Sequence, residues 1–171
     1  METIIQDTSH LINAGNDVAL QMLAAERLPF WCNQAKLRYA FLFDELSPSN
    51  NVIKEMHYLA YRKLRQEWAM RVFVALNGRR PKESLNKVAV VAIRTSAGHL
   101  DWDNCYGGMK PIFDCLVQQT KKNPSGLGLI EDDNPNSMPY PPFILQRPGK
   151  QGKGSTAVFI FELDSLADPV Y

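Results

Sequence analysis

Blocks of apolar residues along this chain predict four β-strands. The clearest block is the unbroken apolar run within residues 87–94, which is typical of a central strand buried on both faces. Residues 36–43 alternate loosely between apolar and polar positions, as a strand with one buried face does. Two shorter blocks, residues 142–147 and 156–161, flank a glycine-rich turn and are the last predicted strands.

Two segments instead carry apolar residues at helical spacing. The first runs from Lys54 to Leu76 and ends at an Asn-Gly-Arg-Arg-Pro sequence, which breaks helices. The second covers residues 104–121, where two glycines and Pro111 are expected to kink the helix or delay its start. The polar, acidic residues 122–137 that follow are predicted to be a loop.

The element order β-α-β-α-β-β predicts an α+β fold, a small mixed β-sheet with helices packed on it. We expect one domain over residues 36–171. Residues 1–35 are expected to be an N-terminal extension with a short helix, which is capped by Asn16 or Asp17 and runs to Arg27.

Composition narrows the class of protein. The 171 residues are 45% hydrophobic and 22% charged, which is typical of one globular domain. Cys32, Cys105 and Cys115 form no Cys-x-x-Cys pair, so neither a secreted disulfide framework nor a zinc finger is expected. The chain has no signal-like N-terminus and no apolar stretch long enough for a membrane span, and we expect a cytoplasmic protein.

Charge is distributed unevenly along the chain. Residues 51–100 contain ten lysines and arginines against three glutamates, whereas both flanking segments are net acidic. A basic segment beside acidic ones suits an enzyme that acts on nucleic acid, with cations for phosphate and carboxylates for metal. The alternative is a solvated helix face followed by a basic loop.

Carboxylates occur in two groups. Asp101 and Asp103 follow the strand of residues 87–94, and the period of two in a strand would place both on one face. Residues 131–133 supply a second group. Crowded carboxylates repel one another unless a cation neutralises them, and oxygen ligands favour Mg²⁺ or Mn²⁺, which can activate water for phosphodiester hydrolysis. The alternative is an acidic loop and a helix-capping Asp103.

A lysine lies within reach of this acidic region. Lys110 is two helical turns beyond Asp103, so the two side chains are expected on one face of a helix. A lysine there can stabilise the negative charge that develops on a phosphate in the transition state. Asp114, one turn later, is expected to hold it, or to form a plain ion pair with it. Trp102 is expected in the core or packed beside the carboxylates.

These motifs, in this order, resemble those of the RusA family of Holliday junction resolvases. They are Asp101-Trp102-Asp103-Asn104, Lys110 with Asp114 and Leu116, and Gly128-Leu129-Ile130-Glu131-Asp132-Asp133. The turn Ser47-Pro48-Ser49-Asn50-Asn51 resembles the family's early Pro-x-Ser-x-Asn turn. The resemblance covers residues 36–164, nearly everything after the N-terminal extension.

The resemblance implies a homodimeric, Mg²⁺-dependent endonuclease, often phage or prophage encoded, that cuts four-way DNA junctions by paired nicks during recombination and repair. It implies that Asp101, Asp103 and Asp133 are the metal ligands and that Lys110 is the catalytic lysine. Asp132 remains an alternative to Asp133, because the sequence does not decide between them.

The resemblance is incomplete where DNA would be bound. The family often has arginines directly before the first motif aspartate, and this chain has Ser96-Ala97-Gly98-His99-Leu100 there. Phosphate contacts are therefore expected from Arg79, Arg80 and Arg94 or from His99. Lys110 also lies three residues further from Asp103 than in the family's simplest spacing. Further DNA contacts are expected from Asn50, Asn51, Asn104, Lys150 and Lys153.

Two hypotheses follow from the sequence. The first is an endonuclease of branched DNA. The second is a catalytically inactive RusA-like protein that binds DNA or another partner.

Overall fold

The computed structural model describes residues 11–12 and 16–163. The helices are α1 (Asp17–Ala24), α2 (Asn50–Lys54), α3 (Tyr58–Ala75) and α4 (Trp102–Leu116), with a short 3₁₀ helix at Phe30–Gln34. The strands are β1 (Ala35–Phe43), β2 (Val88–Ser96), β3 (Phe143–Pro148) and β4 (Ser155–Leu163).

The strands form one mixed sheet in the order β1-β4-β2-β3. Strand β4 is antiparallel to both β1 and β2, whereas β2 and β3 are parallel. The register places Ala92 opposite Val158 of β4 on one side and Ile144 of β3 on the other. The predicted α+β fold with a small mixed sheet is confirmed.

Burial on both faces explains the unbroken apolar run of β2. Val88, Val90 and Ala92 face the layer of α3 and α4, where they meet side chains such as Trp68 and Met109. The alternate residues of the strand, from Ala89 to Ile93, face a second layer that contains α1 and the 3₁₀ helix. A strand between two layers has no solvent face, so polar residues do not alternate in its sequence.

The predicted helix from Lys54 to Leu76 is wrong at its start. The chain forms two helices there, because His57 caps α3 by accepting a hydrogen bond from the backbone N–H of Leu59 (3.3 Å). Helix α2 begins earlier, at the Ser49 cap. In the N-terminal region Asn16 is the cap of α1, one of the two predicted alternatives, but the helix ends at Ala24, before Arg27.

The helix predicted over residues 104–121 also has different ends. It begins at Trp102, because Asp101 caps it, and it ends at Leu116. The two glycines and Pro111 do not delay its start, and α4 continues through all three. No helix in the described ranges is long and apolar enough to cross a membrane.

Candidate functional site

Asp101 is the N-cap of α4. Its Oδ1 accepts a hydrogen bond from the backbone N–H of Asn104 (2.9 Å), and its Oδ2 accepts one from the Asn104 side-chain amide (3.1 Å). An aspartate at this position satisfies an N–H that the first turn leaves unpaired, and it opposes the positive end of the helix dipole. Both oxygens of Asp101 are therefore engaged by Asn104.

Asp103 lies in the first turn of the same helix and forms a separate contact. Its Oδ2 is 3.6 Å from Nζ of Lys54, the last residue of α2, and both side chains are largely exposed. The prediction that Asp101 and Asp103 share one face of a strand is wrong, because the helix begins between them. The alternative in which Asp103 caps the helix is also wrong, since the cap is Asp101.

The Ser-Pro-Ser-Asn-Asn turn lies against this first turn of α4. The backbone N–H of Asn51 donates a hydrogen bond to Oδ1 of Asn104 (3.0 Å). Ser49 caps α2 through the N–H of Val52 (3.4 Å). The turn and the first turn of α4, about fifty residues apart in the sequence, are thus in direct contact. Asn104 joins them, because its side chain bonds both to Asn51 and to Asp101.

The glycine pair of α4 allows this close approach. A Cβ atom on Gly108 would lie 1.9 Å from the carbonyl oxygen of Pro48, and one on Gly107 would lie 2.2 Å from Cγ of Asn50. Real Cβ atoms do not approach other atoms this closely. Gly108 is therefore needed where the turn before α2 packs on α4, and the side chain of Asn50, a predicted DNA contact, lies against Gly107.

Lys110 lies two helical turns beyond Asp103 in α4, and its ammonium group lies between two carboxylates. Its Nζ is 2.9 Å from Oδ1 of Asp114 and 3.9 Å from Oδ2 of Asp133. The lysine side chain is 60% exposed, whereas Asp114 is only 13% exposed. The structure therefore brings together Lys110 and the acidic loop, two of the segments that the sequence singled out.

Asp114 is held from the other side by α3. Its Oδ2 accepts a hydrogen bond from the Tyr61 hydroxyl (3.2 Å) and lies 3.6 Å from Nη1 of Arg65. Burial, together with the charge and hydrogen bond of Asp114, raises the pKa of Tyr61 to about 12. The guanidinium of Arg65 also lies over the Tyr61 ring, 5.2 Å from its centroid. These two α3 residues complete a network that ends at Lys110.

Sequence reasoning missed Tyr61 and Arg65. Their spacing of four residues puts both on one face of a helix, and this was the available signal. It did not identify a partner, because the pairing of α3 with α4 is a tertiary contact between segments about fifty residues apart.

The acidic loop uses its two aspartates differently. Oδ1 of Asp132 accepts the backbone N–H of Asp133 (2.8 Å), and Oδ2 accepts the side-chain amide of Asn134 (2.6 Å). Asp132 therefore organises the turn. The carboxylate of Asp133 is the one that lies beside Lys110.

The three predicted metal ligands are not brought to one point. Asp101 and Asp103 lie at the start of α4, whereas Asp133 lies at Lys110, about 10 Å further along the helix by its rise per residue. Within the part of the chain that the structure describes, no three Asp, Glu, His or Cys side chains lie close enough to hold one ion. The donors suit Mg²⁺ chemically, but their placement does not fit a three-carboxylate centre.

A polar cleft of about 880 Å³ opens beside Lys110. Its cationic lining comes from Arg65, Lys110 and Lys122, and its acidic lining comes from Asp114 and residues 131–133. Asparagine side chains fill much of the remaining wall. The cleft is thus a polar surface with both charges, four carboxylates and three cationic side chains.

Arg94 does not serve as the predicted DNA contact. Its side chain is 6% exposed, and Nη1 donates to Ser96 Oγ (2.6 Å) while Nε donates to the carbonyl of Ser47 (3.5 Å). Burial lowers the pKa of this guanidinium. Arg94 instead fastens the turn before α2 to the end of β2.

The other predicted DNA contacts remain at the surface. Arg79 and Arg80 are exposed just after α3, and Arg80 donates to the side chain of Gln119 (2.8 Å). Lys150 and Lys153 are exposed in the turn between β3 and β4, and His99 is exposed in the loop before α4. None of these side chains lines the cleft beside Lys110.

Trp102 is not a core residue. Trp31 and Trp68 are buried, but Trp102 is 69% exposed at the first position of α4. Its ring lies 6.5 Å from that of Tyr106, which is also exposed. The expectation that Trp102 packs in the core is wrong, because its indole stays exposed at the N-terminus of α4.

Comparisons with known proteins identify no family for this chain. No family model matches it, and no curated protein is significantly similar to it. The resemblance to RusA therefore rests on the motifs themselves.

Proposed function

We propose that this protein is an endonuclease that cuts branched DNA, with a four-way junction as its substrate. The proposal extends the RusA resemblance to this chain and includes its expected role in recombination and repair. It keeps the expected Mg²⁺ dependence but assigns no set of ligands to the ion, because Asp101 and Asp103 do not meet Asp133. We also propose that it acts in the cytoplasm as a homodimer, because paired nicks in a two-fold junction match a two-fold enzyme.

One observation carries the proposal. Nζ of Lys110 lies 3.9 Å from Oδ2 of Asp133, although the two motifs are more than twenty residues apart in sequence. The resemblance assigns both residues to one reaction, and such an assignment requires them to be neighbours. Their contact at the rim of a polar cleft supports it.

The chain's own residues then have distinct roles. Lys110 binds the phosphate at the cleft and stabilises the charge that develops on its oxygens during cleavage. Asp114 orients Lys110, and Tyr61 and Arg65 hold Asp114. Arg79, Arg80, Lys150 and Lys153 contact the DNA backbone away from the cleft, so binding depends on shape and charge more than on base sequence.

The alternative function is a RusA-like protein that binds DNA or a partner without cutting. A specific observation favours it, namely that Asp101 and Asp103 are engaged by Asn104 and Lys54 and do not meet Asp133. The two functions make the same prediction for binding and opposite predictions for cleavage.

A cleavage assay on a synthetic four-way junction distinguishes them. We expect symmetrical nicks in the presence of Mg²⁺, none with EDTA, and none in a linear duplex of the same sequence. Binding is measured in parallel by fluorescence anisotropy in EDTA. Intact junction binding without any nick would reject the endonuclease and support the alternative, and a molar mass of one chain in light scattering would reject the dimer.

A further inference from the structure

Three side chains form an exposed line along α4 that leads to the candidate site. Trp102, Tyr106 and Lys110 follow one another at intervals of four residues, so they lie on one face of the helix. All three are exposed, and the two aromatic rings are neighbours at 6.5 Å. A contiguous exposed patch of large apolar side chains marks an interaction site more often than scattered single ones do.

An apolar groove of about 530 Å³ runs beside this line. Tyr106 and Phe113 of α4 form one wall. Met138, Tyr140 and several prolines of the segment before β3 form the other wall. Lys110 and Asp133 line this groove as well as the polar cleft, so the two cavities share an edge.

The far wall of the groove is held in place by ring contacts. Tyr140 is stacked on Trp31, with centroids 5.3 Å apart and planes at 12°. The ring of Phe30 contacts the Tyr140 ring edge-on, with centroids 6.4 Å apart. A wall built from stacked rings needs little rearrangement when a flat molecule enters, which lowers the entropy cost of binding.

We propose that this groove and the Trp102–Tyr106 pair bind an unpaired nucleobase of the strand whose phosphate lies at Lys110. The inference rests on the proposed function and defines its substrate as DNA with unpaired nucleotides next to the cut. Aromatic rings take up a base by stacking, and the adjacent lysine neutralises the phosphate of the same strand. Bases within a duplex have their faces covered by neighbouring pairs, so an intact duplex offers nothing to the groove.

Tryptophan fluorescence provides a direct test with the full chain. Because Trp31 and Trp68 are buried and Trp102 is exposed, a base that stacks on Trp102 quenches the exposed part of the emission. In EDTA, which prevents Mg²⁺-dependent cutting, we expect quenching by single-stranded DNA and by a four-way junction with unpaired nucleotides at its branch point, but not by a linear duplex. Trp102→Phe should abolish the quenching. Equal quenching by the duplex would overturn the proposal.

Binding by variants supplies the second test. Tyr106→Ala should weaken single-strand binding about tenfold, which is about 1.4 kcal/mol, because the variant loses one ring on which a base stacks. Tyr106→Phe keeps the ring and should bind as the parent does. Met70→Ala, which removes an exposed apolar side chain of α3, is the control for surface changes in general.

Three other outcomes complete the test. Unchanged single-strand binding by Tyr106→Ala would overturn the base-binding groove even if junctions were still cut. Loss of a dimer in Tyr106→Ala, seen by light scattering, would instead assign the groove to a second copy of the chain. Ring-dependent quenching and binding without any cleavage would support the groove and reject the endonuclease.

Discussion

Nζ of Lys110 donates to Oδ1 of Asp114 at 2.9 Å, while Oδ2 of the same carboxylate faces Tyr61 and Arg65 of α3. One carboxylate therefore joins the exposed lysine to a mostly buried network. Because Asp114 is fixed by α3, the position of Lys110 depends on how α3 and α4 pack. The packing of α3 on α4 therefore sets where the ammonium group of Lys110 lies in the candidate site.

Lys110→Ala should abolish cleavage and leave the fold intact, because the side chain is exposed and its loss removes charge stabilisation from the transition state. A higher Mg²⁺ concentration should not restore cutting, because the cation does not replace a lysine fixed at the phosphate. Single-turnover cleavage of a junction measures the effect. Cleavage at the parent rate would show that Lys110 has no catalytic role.

Asp133→Asn should lower the cleavage rate by orders of magnitude while junction binding is kept or strengthened. The amide has nearly the same size, but it removes the charged oxygen that, in the proposed function, acts with Lys110 on the phosphate, and this loss slows cleavage. Removing the same negative charge also relieves repulsion of the phosphate, so binding is kept or strengthened. Anisotropy and cleavage measured on the same preparation separate the two effects. Parallel losses of binding and cutting would contradict a role in the reaction itself.

Asp114→Asn should lower both stability and cleavage. The change leaves the guanidinium of Arg65, which is 12% exposed, without a carboxylate neighbour at 3.6 Å, and we expect a loss of about 1–3 kcal/mol in the free energy of unfolding. Urea denaturation measures this. Asp44→Asn, a change at an exposed carboxylate just after β1, should alter neither property.

Gly108→Ala should destabilise the protein although alanine normally favours a helix by about 1 kcal/mol over glycine. The new methyl group would lie 1.9 Å from the Pro48 carbonyl oxygen, and overpacking of this kind costs about 1–3 kcal/mol. Gly98→Ala is the matched control, because nothing lies within 4 Å of a Cβ there. Equal denaturation midpoints for the two variants would show that the turn before α2 does not pack on α4 as described.

Ionisation of Tyr61 should lower the free energy of unfolding as the pH rises above 10. Its pKa is raised from 10 to about 12, so the unfolded chain loses the proton first, and the stabilising contribution is present below pH 10 and lost between pH 10 and 12. Tyr61→Phe should reduce this slope. Tyr39, whose pKa burial raises to about 12, still titrates in the variant, so the measured quantity is the difference in unfolding free energy between parent and variant.

How far the sequence predicts the fold differs between elements. The position of strand β2 can be predicted from the sequence alone. Burial on both faces makes nearly every residue of the strand apolar, and this pattern is visible without knowing which elements pack on it. The start of α4 was placed too late, because Asp101-x-Asp103 fits the end of a strand as well as a helix cap. Local spacing did not distinguish these two structures, and the hydrogen bonds to Asn104 do.

The candidate site was predictable in its parts but not in its arrangement. Helical spacing alone indicated that Lys110 and Asp114 pair. The contact with Asp133 required the motif resemblance, and the contacts with Tyr61 and Arg65 required the packing of α3 on α4. The prediction that Arg94 contacts DNA is wrong. Its guanidinium is bonded to two backbone carbonyls and a serine hydroxyl, and the sequence around the arginine does not indicate these partners.

The three free thiols give the protein a reporter on each side of its sheet. Cys32 belongs to the layer with α1, whereas Cys105 and Cys115 belong to the layer with α4, and all three are fully buried. Only a thiolate that meets solvent reacts with an alkylating reagent, and burial raises the pKa of all three groups. Each alkylation rate in the native protein therefore measures how often its own layer opens.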